Sequence, residues 1–301
     1  MHNQHGIELI SNVCKHHQAL ILQNKGTLKS IICPFHRWQY ALDGHLKKAP
    51  HFAQTPCVQL DKTALYTLNK LLFEHQKPNI ASPDSLLNSL VFDGYAYSNS
   101  VTLQAPYNWK IFIDNYLDDY HIQPLHSGLK TLVNIHDLTW EFSKSHVVQR
   151  IGIQQTSSQH ASVAFQKWHA FIHQIQAESM LPMSSSIIWI LIYPTTMIEV
   201  YPYMMTLSTL KPVSVDVTMN HVDFFYPEAI LSQFPDYATV SQAAYREIAE
   251  EDDRLCMSIH AGRKTLFEQK KEDLGFFHHT LETGIRHFHT YWYAEMDKIL
   301  T

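Results

Sequence analysis

Two short motifs, Cys14-x-His16 and Cys33-x-x-His36, constrain this chain more than any other feature. Each pairs a thiol with an imidazole within a few residues, and about one hairpin of chain separates the pairs. Four soft or borderline ligands in two tight pairs suit an iron or zinc site better than an apolar core. The remaining cysteines, Cys57 and Cys256, are too scattered to build a disulfide framework in 301 residues. Histidine is abundant, with 21 copies spread along the chain rather than gathered in a tag.

The order Cys-x-His…Cys-x-x-His departs from the usual spacing of zinc fingers. It suits a Rieske [2Fe-2S] centre, in which two thiolates hold one iron and two imidazoles hold the other. Cys14 and Cys33 would then take one iron, and His16 and His36 the other. Zinc, or reduced core cysteines with incidental histidines, are the alternatives. His17 adjoins His16, but in a strand its side chain points the opposite way, so it is not counted as a ligand.

The rest of the chain is ordinary in composition, with 45% apolar and 17% charged residues. A net charge of −5 gives no electrostatic reason to expect nucleic acid. The locally basic first fifty residues read as a solvated face or as a docking face for an acidic protein. There is no leader-like start and no run of eighteen apolar residues, so the expectation is a cytoplasmic protein that does not span a membrane.

IELI, ALIL, LKSIIC and WQYAL alternate with turns at NKG and Asp43-Gly44, the pattern of a small antiparallel β unit. Only thirteen residues precede Cys14, so the first strands of that unit are expected to be short or missing. Residues 60–75 fit helix and strand equally well. A Pro-, Asn-, Ser- and Asp-rich stretch from Gln76 to Ser98 reads as a boundary, dividing the chain into 1–88 and 89–301. Beyond it, WKIFIDNYLDDYHIQPLH predicts a buried helix ending near His121, ahead of Pro124. Apolar and β-branched runs over 185–227 predict long strands of one antiparallel sheet. Helices are expected from about Thr239 to His260 and from Leu281 to the end, giving an α+β chain.

Asp118, His121 and His126 form a second constellation. Asp118 and His121 share a face if the helix holds, and Pro124 lets the chain bring His126 back toward them. Two imidazoles with one carboxylate make a facial triad that leaves coordination positions open on non-haem iron. The carboxylate is sought in the helix from Thr239, whose apolar stripe runs Val240, Ala244, Ile248, Leu255, Cys256 and Ile259. Asp252 falls on that stripe, where a carboxylate must be paired or metal-bound. Glu250, Glu251, Asp253 and Arg254 are placed toward solvent, although a shift of register would select Glu251 or Asp253.

These stretches resemble the Rieske non-haem iron ring-hydroxylating oxygenases, alpha subunit. NVCKHHQALIL…CPFHRWQYALDGHL is similar to the family's cluster loops, with Trp38, Tyr40 and Gly44 in place and Arg37 where Gly is commonest. YNWKIFIDNYLDDYHIQPLH and EEDDRLCMSIHAG resemble its iron-binding segments, with His260 where Gln is frequent. LETGIRHFHTYWY and YPTTMIEVYP resemble its closing helix and central strand. The resemblance implies a small antiparallel Rieske domain, then a helix-grip-like catalytic domain with a large antiparallel sheet. It places mononuclear Fe(II) on His121, His126 and Asp252. It casts Asp118 as a bridge to a Rieske histidine of a neighbouring subunit, hence a homotrimer. Asn115, one turn before Asp118, is read either as a residue supporting the site or as a plain polar position of the helix.

The chemistry implied is hydroxylation or dihydroxylation of an aromatic or other hydrophobic compound with O2. Phe112, Trp189, Met197 and Phe225 are candidate pocket residues. Electrons would come from NAD(P)H through a reductase, alone or with a ferredoxin, because the chain has no dinucleotide-binding GxGxxG. Two alternatives are oxidative demethylation or monooxygenation of a quaternary ammonium or aliphatic substrate, and an iron-sulfur electron carrier with an inactive second site.

Overall fold

The computed structural model describes residues 1–4, 6–68, 70–74, 90, 92–154, 160–271 and 275–300. The chain divides into two compact units, Met1–Pro78 and Asn79–Thr301. The boundary expected near residue 88 lies outside the described residues.

The first unit holds β1 (His2–Asn3), β2 (Gly6–Ile7), β3 (Leu9–Ile10), β4 (Ile31–Ile32), β5 (Gln39–Tyr40), β6 (Leu46–Lys48), β7 (Lys62–Thr63), β8 (Leu65–Leu68) and β9 (Leu71–Glu74). All pairings are antiparallel: β1 with β2, β3 with β7, β8 with β9, and β4-β5-β6 as a three-stranded sheet. The segment undecided between helix and strand is therefore strand where it is described. The core is small, built on Cys14, Ile21, Ile31, Cys33, Trp38, Tyr40, Ala49 and Leu60. The two cysteine-histidine loops are its centre, so the unit depends on them for packing.

The second unit contains, in order, β10 (Tyr95–Ala105), α1 (Trp109–Tyr116), α2 (Ile122–Leu125), β11 (Val133–Phe142), β12 (His146–Ile153), α3 (Val163–Glu178), β13 (Ser186–Ile192), β14 (Thr196–Tyr201), β15 (Met204–Ser214), β16 (Val217–Pro227), α4 (Glu228–Gln233), α5 (Tyr237–Glu268) and α6 (Thr283–Leu300). The sheet is antiparallel throughout, in the order β10-β16-β15-β14-β13-β12-β11. β13 and β14 sit at its centre and are buried almost along their whole length, which is why SIIWILI and TMIEVY read as continuous apolar runs. In β16, alternate residues Thr218, Asn220, Val222, Phe224 and Tyr226 are buried, the pattern of a strand with one covered face.

α3 packs Phe165, Trp168, Ile172 and Ile175 into the main core beside Ala244 and Ile248 of α5. Each such side chain contributes roughly 1.5–3 kcal/mol when fully buried. Ser162 starts the helix by accepting a hydrogen bond from Phe165 N. α5 is longer than expected, running on past His260 and through Gly262 to Glu268. One glycine costs a helix interior about 1 kcal/mol, too little to end a helix of this length.

The helix expected to reach His121 instead ends at Tyr116. The Asp118 side chain accepts hydrogen bonds from the backbone N–H groups of Tyr120 (2.7 Å) and His121 (3.3 Å), offering the chain a turn in place of another helical repeat. Pro124 sits within the single turn of α2, where its missing N–H costs nothing.

Candidate metal centres and active site

In the first unit the two Cys-His motifs fold as near-identical loops. Cys14 N donates to Ala19 O and Gln18 N to Cys14 O, while Cys33 N donates to Trp38 O and Arg37 N to Cys33 O. The fourth residue after each cysteine closes the loop in a left-handed conformation, Gln18 at φ 54° and Arg37 at φ 60°. That geometry favours glycine and explains why Arg37 stands out at its position. Both cysteines are 2% exposed, whereas His36 is exposed and His16 half-buried. The imidazoles of His16 and His36 come together, with ring centroids 4.6 Å apart.

Two further observations fit a cluster held by these four residues. His16 Nδ1 is buried and has no hydrogen-bond partner, as a nitrogen reserved for a metal would be. Trp38 stacks parallel on the His16 ring at 4.7 Å and fixes its orientation. Burial opposes ionisation of Cys14, but the Tyr40 hydroxyl, 3.2 Å from its Sγ, and nearby backbone N–H groups outweigh it and lower the thiol's pKa. A thiolate is the metal-binding form. His17 lies in a turn with His16 rather than in a strand, so alternation does not separate the two rings, whose centroids are 4.2 Å apart.

In the second unit α2 is the spacer that brings His121 and His126 together, one at each end of its single turn. α5 supplies Asp252. His121 Nε2 lies 3.2 Å from His126 Nε2 and 3.4 Å from Asp252 Oδ1, and His126 Nε2 lies 3.1 Å from the same oxygen. Ligands in adjacent positions around a metal at about 2.1 Å stand roughly 3.0–3.4 Å apart, from octahedral to tetrahedral arrangement. Asp252 Oδ1 is buried and has no aligned hydrogen-bond donor. These three residues form a candidate metal-binding site without rearrangement.

The surroundings hold the triad in place. His126 Nδ1 is 2.7 Å from Glu251 Oε2, which fixes the ring with Nε2 facing the other ligands. Asp118 Oδ2 lies 3.1 Å from His121 Nδ1, an ion-pair approach rather than an aligned hydrogen bond. Burial disfavours the charged form of His121, but Asp118 and Asp252 outweigh it and raise the imidazole to about 10. Burial likewise pushes Asp252 up, yet both imidazoles hold it well below the usual carboxylate range. A metal would take over the attraction that protons supply here.

The sequence reading placed Glu251 and Asp253 toward solvent, and the structure corrects both. Glu251 supports His126, and Asp253 accepts a hydrogen bond from the buried Tyr107 hydroxyl. Arg254 is exposed as expected, and His260 pairs with Asp216 at 2.9 Å. Asp119, which the sequence reading passed over, is 1% exposed with neither carboxylate oxygen partnered. Burial and the neighbouring Asp118 raise it well above the usual carboxylate range.

Two small cavities, of about 60 and 70 Å³, flank the triad. Sites for drug-sized ligands run from roughly 300 Å³ upward, so this space suits a slender molecule. Trp189 lines the first cavity and Phe112 the second, as expected, while Met197 and Phe225 line neither. Met197 packs instead into the apolar cluster of α1 and α6, and Phe225 against Phe92 and Tyr97. The lining is also less apolar than expected. Glu199 of β14 faces both cavities, and burial raises its carboxyl to about 7 against the lowering effect of the Thr206, Tyr245 and Tyr201 hydroxyls. One acid inside the apolar run MIEVY was the available signal, by the reasoning that selected Asp252.

The family described as ring hydroxylating alpha subunit (catalytic domain) matches residues 92–298, and the Rieske [2Fe-2S] domain matches residues 2–59. A putrescine 2-hydroxylase of Ralstonia nicotianae is 37% identical over 98% of this chain and 81% of its own length. The carnitine monooxygenase oxygenase subunit of Escherichia coli is 27% identical over 84% of this chain and 67% of its own. Among solved structures, a quaternary ammonium Rieske monooxygenase in complex with an inhibitor shares the fold, with a TM-score of 0.74, 19% identity, and coverage of 98% of this chain and 80% of that one. Matched by both family descriptions and related over nearly all its length to a known hydroxylase, this chain belongs to the Rieske non-haem iron ring-hydroxylating oxygenase alpha-subunit family and is an oxygenase.

Proposed function

We propose that this chain is the oxygenase component of a monooxygenase acting on a small organic cation, an aliphatic amine or a quaternary ammonium compound. The observation that carries this reading is a buried carboxylate, Glu199, in the wall of both cavities beside the metal triad. An aromatic hydrocarbon gives such a group nothing to bind. The related putrescine and carnitine enzymes support the same choice, so the aromatic substrate expected from the sequence gives way to the aliphatic alternative.

In this reading Cys14, His16, Cys33 and His36 hold a [2Fe-2S] cluster within a domain over 1–88. His121, His126 and Asp252 hold Fe(II) within a catalytic domain over 89–301. When bound, the cluster supplies single-electron transfer, and the iron supplies a site for dioxygen activation. Glu251 fixes His126 and Asp118 steadies His121, so both Nε2 atoms stay directed at one point. Asp118 also bridges to a Rieske histidine of a neighbouring subunit, which makes the working form a cytoplasmic homotrimer. Asn115 lines both cavities and supports the site from α1. Electrons come from NAD(P)H through a reductase, alone or with a ferredoxin.

Reconstitution with a broad-specificity reductase and NADH tests the proposal. Oxygen uptake and a product heavier by one oxygen, by mass spectrometry, are expected with putrescine or carnitine. Turnover of naphthalene in preference to either cation would contradict it.

A further inference from the structure

The two cavities share a wall made by Asn115, Tyr116, Glu199, Tyr201, Ile248 and Asp252. Glu199 is 8% exposed, and its cross-strand neighbours in the sheet are Trp189 and Thr206. Its hydrogen bonds come from neutral hydroxyls: Thr206 Oγ1 at 2.9 Å, with Tyr245 and Tyr201. Among the described residues no lysine, arginine or histidine forms an ion pair with it. Neutral donors hold a carboxylate in position but leave its charge uncompensated, and an unpaired buried charge costs several kcal/mol.

A second observation is independent of Glu199. The side-chain oxygens of Asn115, on α1, and Asn220, on β16, are buried without a hydrogen-bond partner. These residues are 8% and 9% exposed, and both line the second cavity with Glu199. That cavity holds about 70 Å³, and Glu199, Asn115 and Asn220 all line it. The hydroxyls in its wall are engaged, Tyr107 with Asp253, Tyr116 with Ile190 O, and Tyr201 and Tyr245 with Glu199, so the space offers acceptors and a carboxylate. Its complement is an ammonium group, which carries three N–H donors, a positive charge and no acceptor. A trimethylammonium group would find aromatic rings in this wall, Phe112, Tyr116, Tyr201 and Tyr245 among them, but it has no N–H to give the three side-chain oxygens.

We propose that Glu199 is the specificity-determining anchor for the primary ammonium group of a small aliphatic amine, with the side-chain oxygens of Asn115 and Asn220 taking its remaining N–H donors. This rests on the oxygenase reading above and narrows its substrate to amines that carry N–H. Asp252 belongs to the same wall, so the anchored nitrogen holds the adjoining carbon chain beside the metal triad.

Calorimetric titration of the iron-loaded full chain with putrescine and with its fully N-methylated bis-quaternary analogue tests this. A charge-assisted hydrogen-bond set predicts putrescine binding roughly ten- to a hundredfold tighter than the analogue. Glu199→Gln, nearly isosteric, is expected to remove most of that preference, and Glu199→Asp to retain part of it. Equal affinity of the wild type for both ligands, or no binding of putrescine, overturns the assignment even if the variants fail to fold. A well-folded Glu199→Gln chain that keeps the wild-type preference overturns it as well. Rieske and ferrous signals recorded on the same sample separate the two levels. Their absence removes the oxygenase reading, whereas their presence without a preference for putrescine removes only the role of Glu199.

Discussion

Arg37 and Gln18 show how one residue carries the geometry of a metal loop. Both take left-handed backbone at the equivalent point of the two cysteine loops, a conformation that costs an L-residue about 1–2 kcal/mol. Arg37→Gly is therefore expected to leave stability unchanged or raise it by up to about 1 kcal/mol, while Arg37→Val lowers it by more than about 1 kcal/mol. Thermal loss of the cluster's visible absorbance measures the order, and a valine variant as stable as the glycine variant would refute it. Glu251 acts on His126 in a similar way. Glu251→Gln should weaken ferrous binding about 10- to 100-fold without touching a ligand, and unchanged affinity would show that the contact is idle. In the metal-stripped chain His121 is raised to about 10 from an ordinary value near 6.5. Its contribution to stability is complete below about pH 6.5 and is lost as pH rises through 10. Melting of stripped protein should thus fall between pH 7 and 10, and fall less in His121→Gln. Parallel slopes would contradict that origin.

At the scale of elements, legibility followed the strength of the local pattern. The strands over 185–227 and the presence of the two long helices were legible because continuous apolar runs and 3.6-residue stripes are strong signals, although the end of α5 was set too early. α3 was overlooked although Ser162 caps a stripe of Phe165, Trp168, Ile172 and Ile175; alternating polar residues and three histidines nearby blurred it. The helix through His121 was read too long because apolar density does not reveal that the Asp118 carboxylate captures two backbone N–H groups. Glu251 and Asp253 were misplaced for a related reason: their partners, His126 and Tyr107, come from distant parts of the chain. Close packing supplies a test at this scale. A Cβ on Gly128, two residues after His126, would stand 2.1 Å from the Phe165 ring. Gly128→Ala should cost about 2–4 kcal/mol by overpacking and lower metal occupancy, because the segment carrying His126 must move. Full occupancy with unchanged melting would show that α3 yields instead.

At the scale of the molecule, the chain carries two candidate sites of different character. One unit buries Cys14 and Cys33 while His16 is half-buried and His36 exposed; the other gathers a buried His126 with the half-buried His121 and Asp252 beside a small cavity. Both candidate ligand sets stand out in the sequence because each needs particular residue types at particular spacings. The chemistry of the cavity was not, because Glu199, Asn115 and Asn220 meet only when β14, β16 and α1 are assembled. The central claim is an oxygenase with a Rieske cluster and a separate iron on His121, His126 and Asp252. Iron and acid-labile sulfide analysis of the purified chain and of Asp252→Ala, with electron paramagnetic resonance on the same samples, tests it most directly. The account predicts one iron beyond the two of the cluster in the wild type, and loss of that iron alone in the variant, with sulfide and the Rieske signal unchanged. A wild type without the additional iron, or a variant that keeps it, would contradict the account.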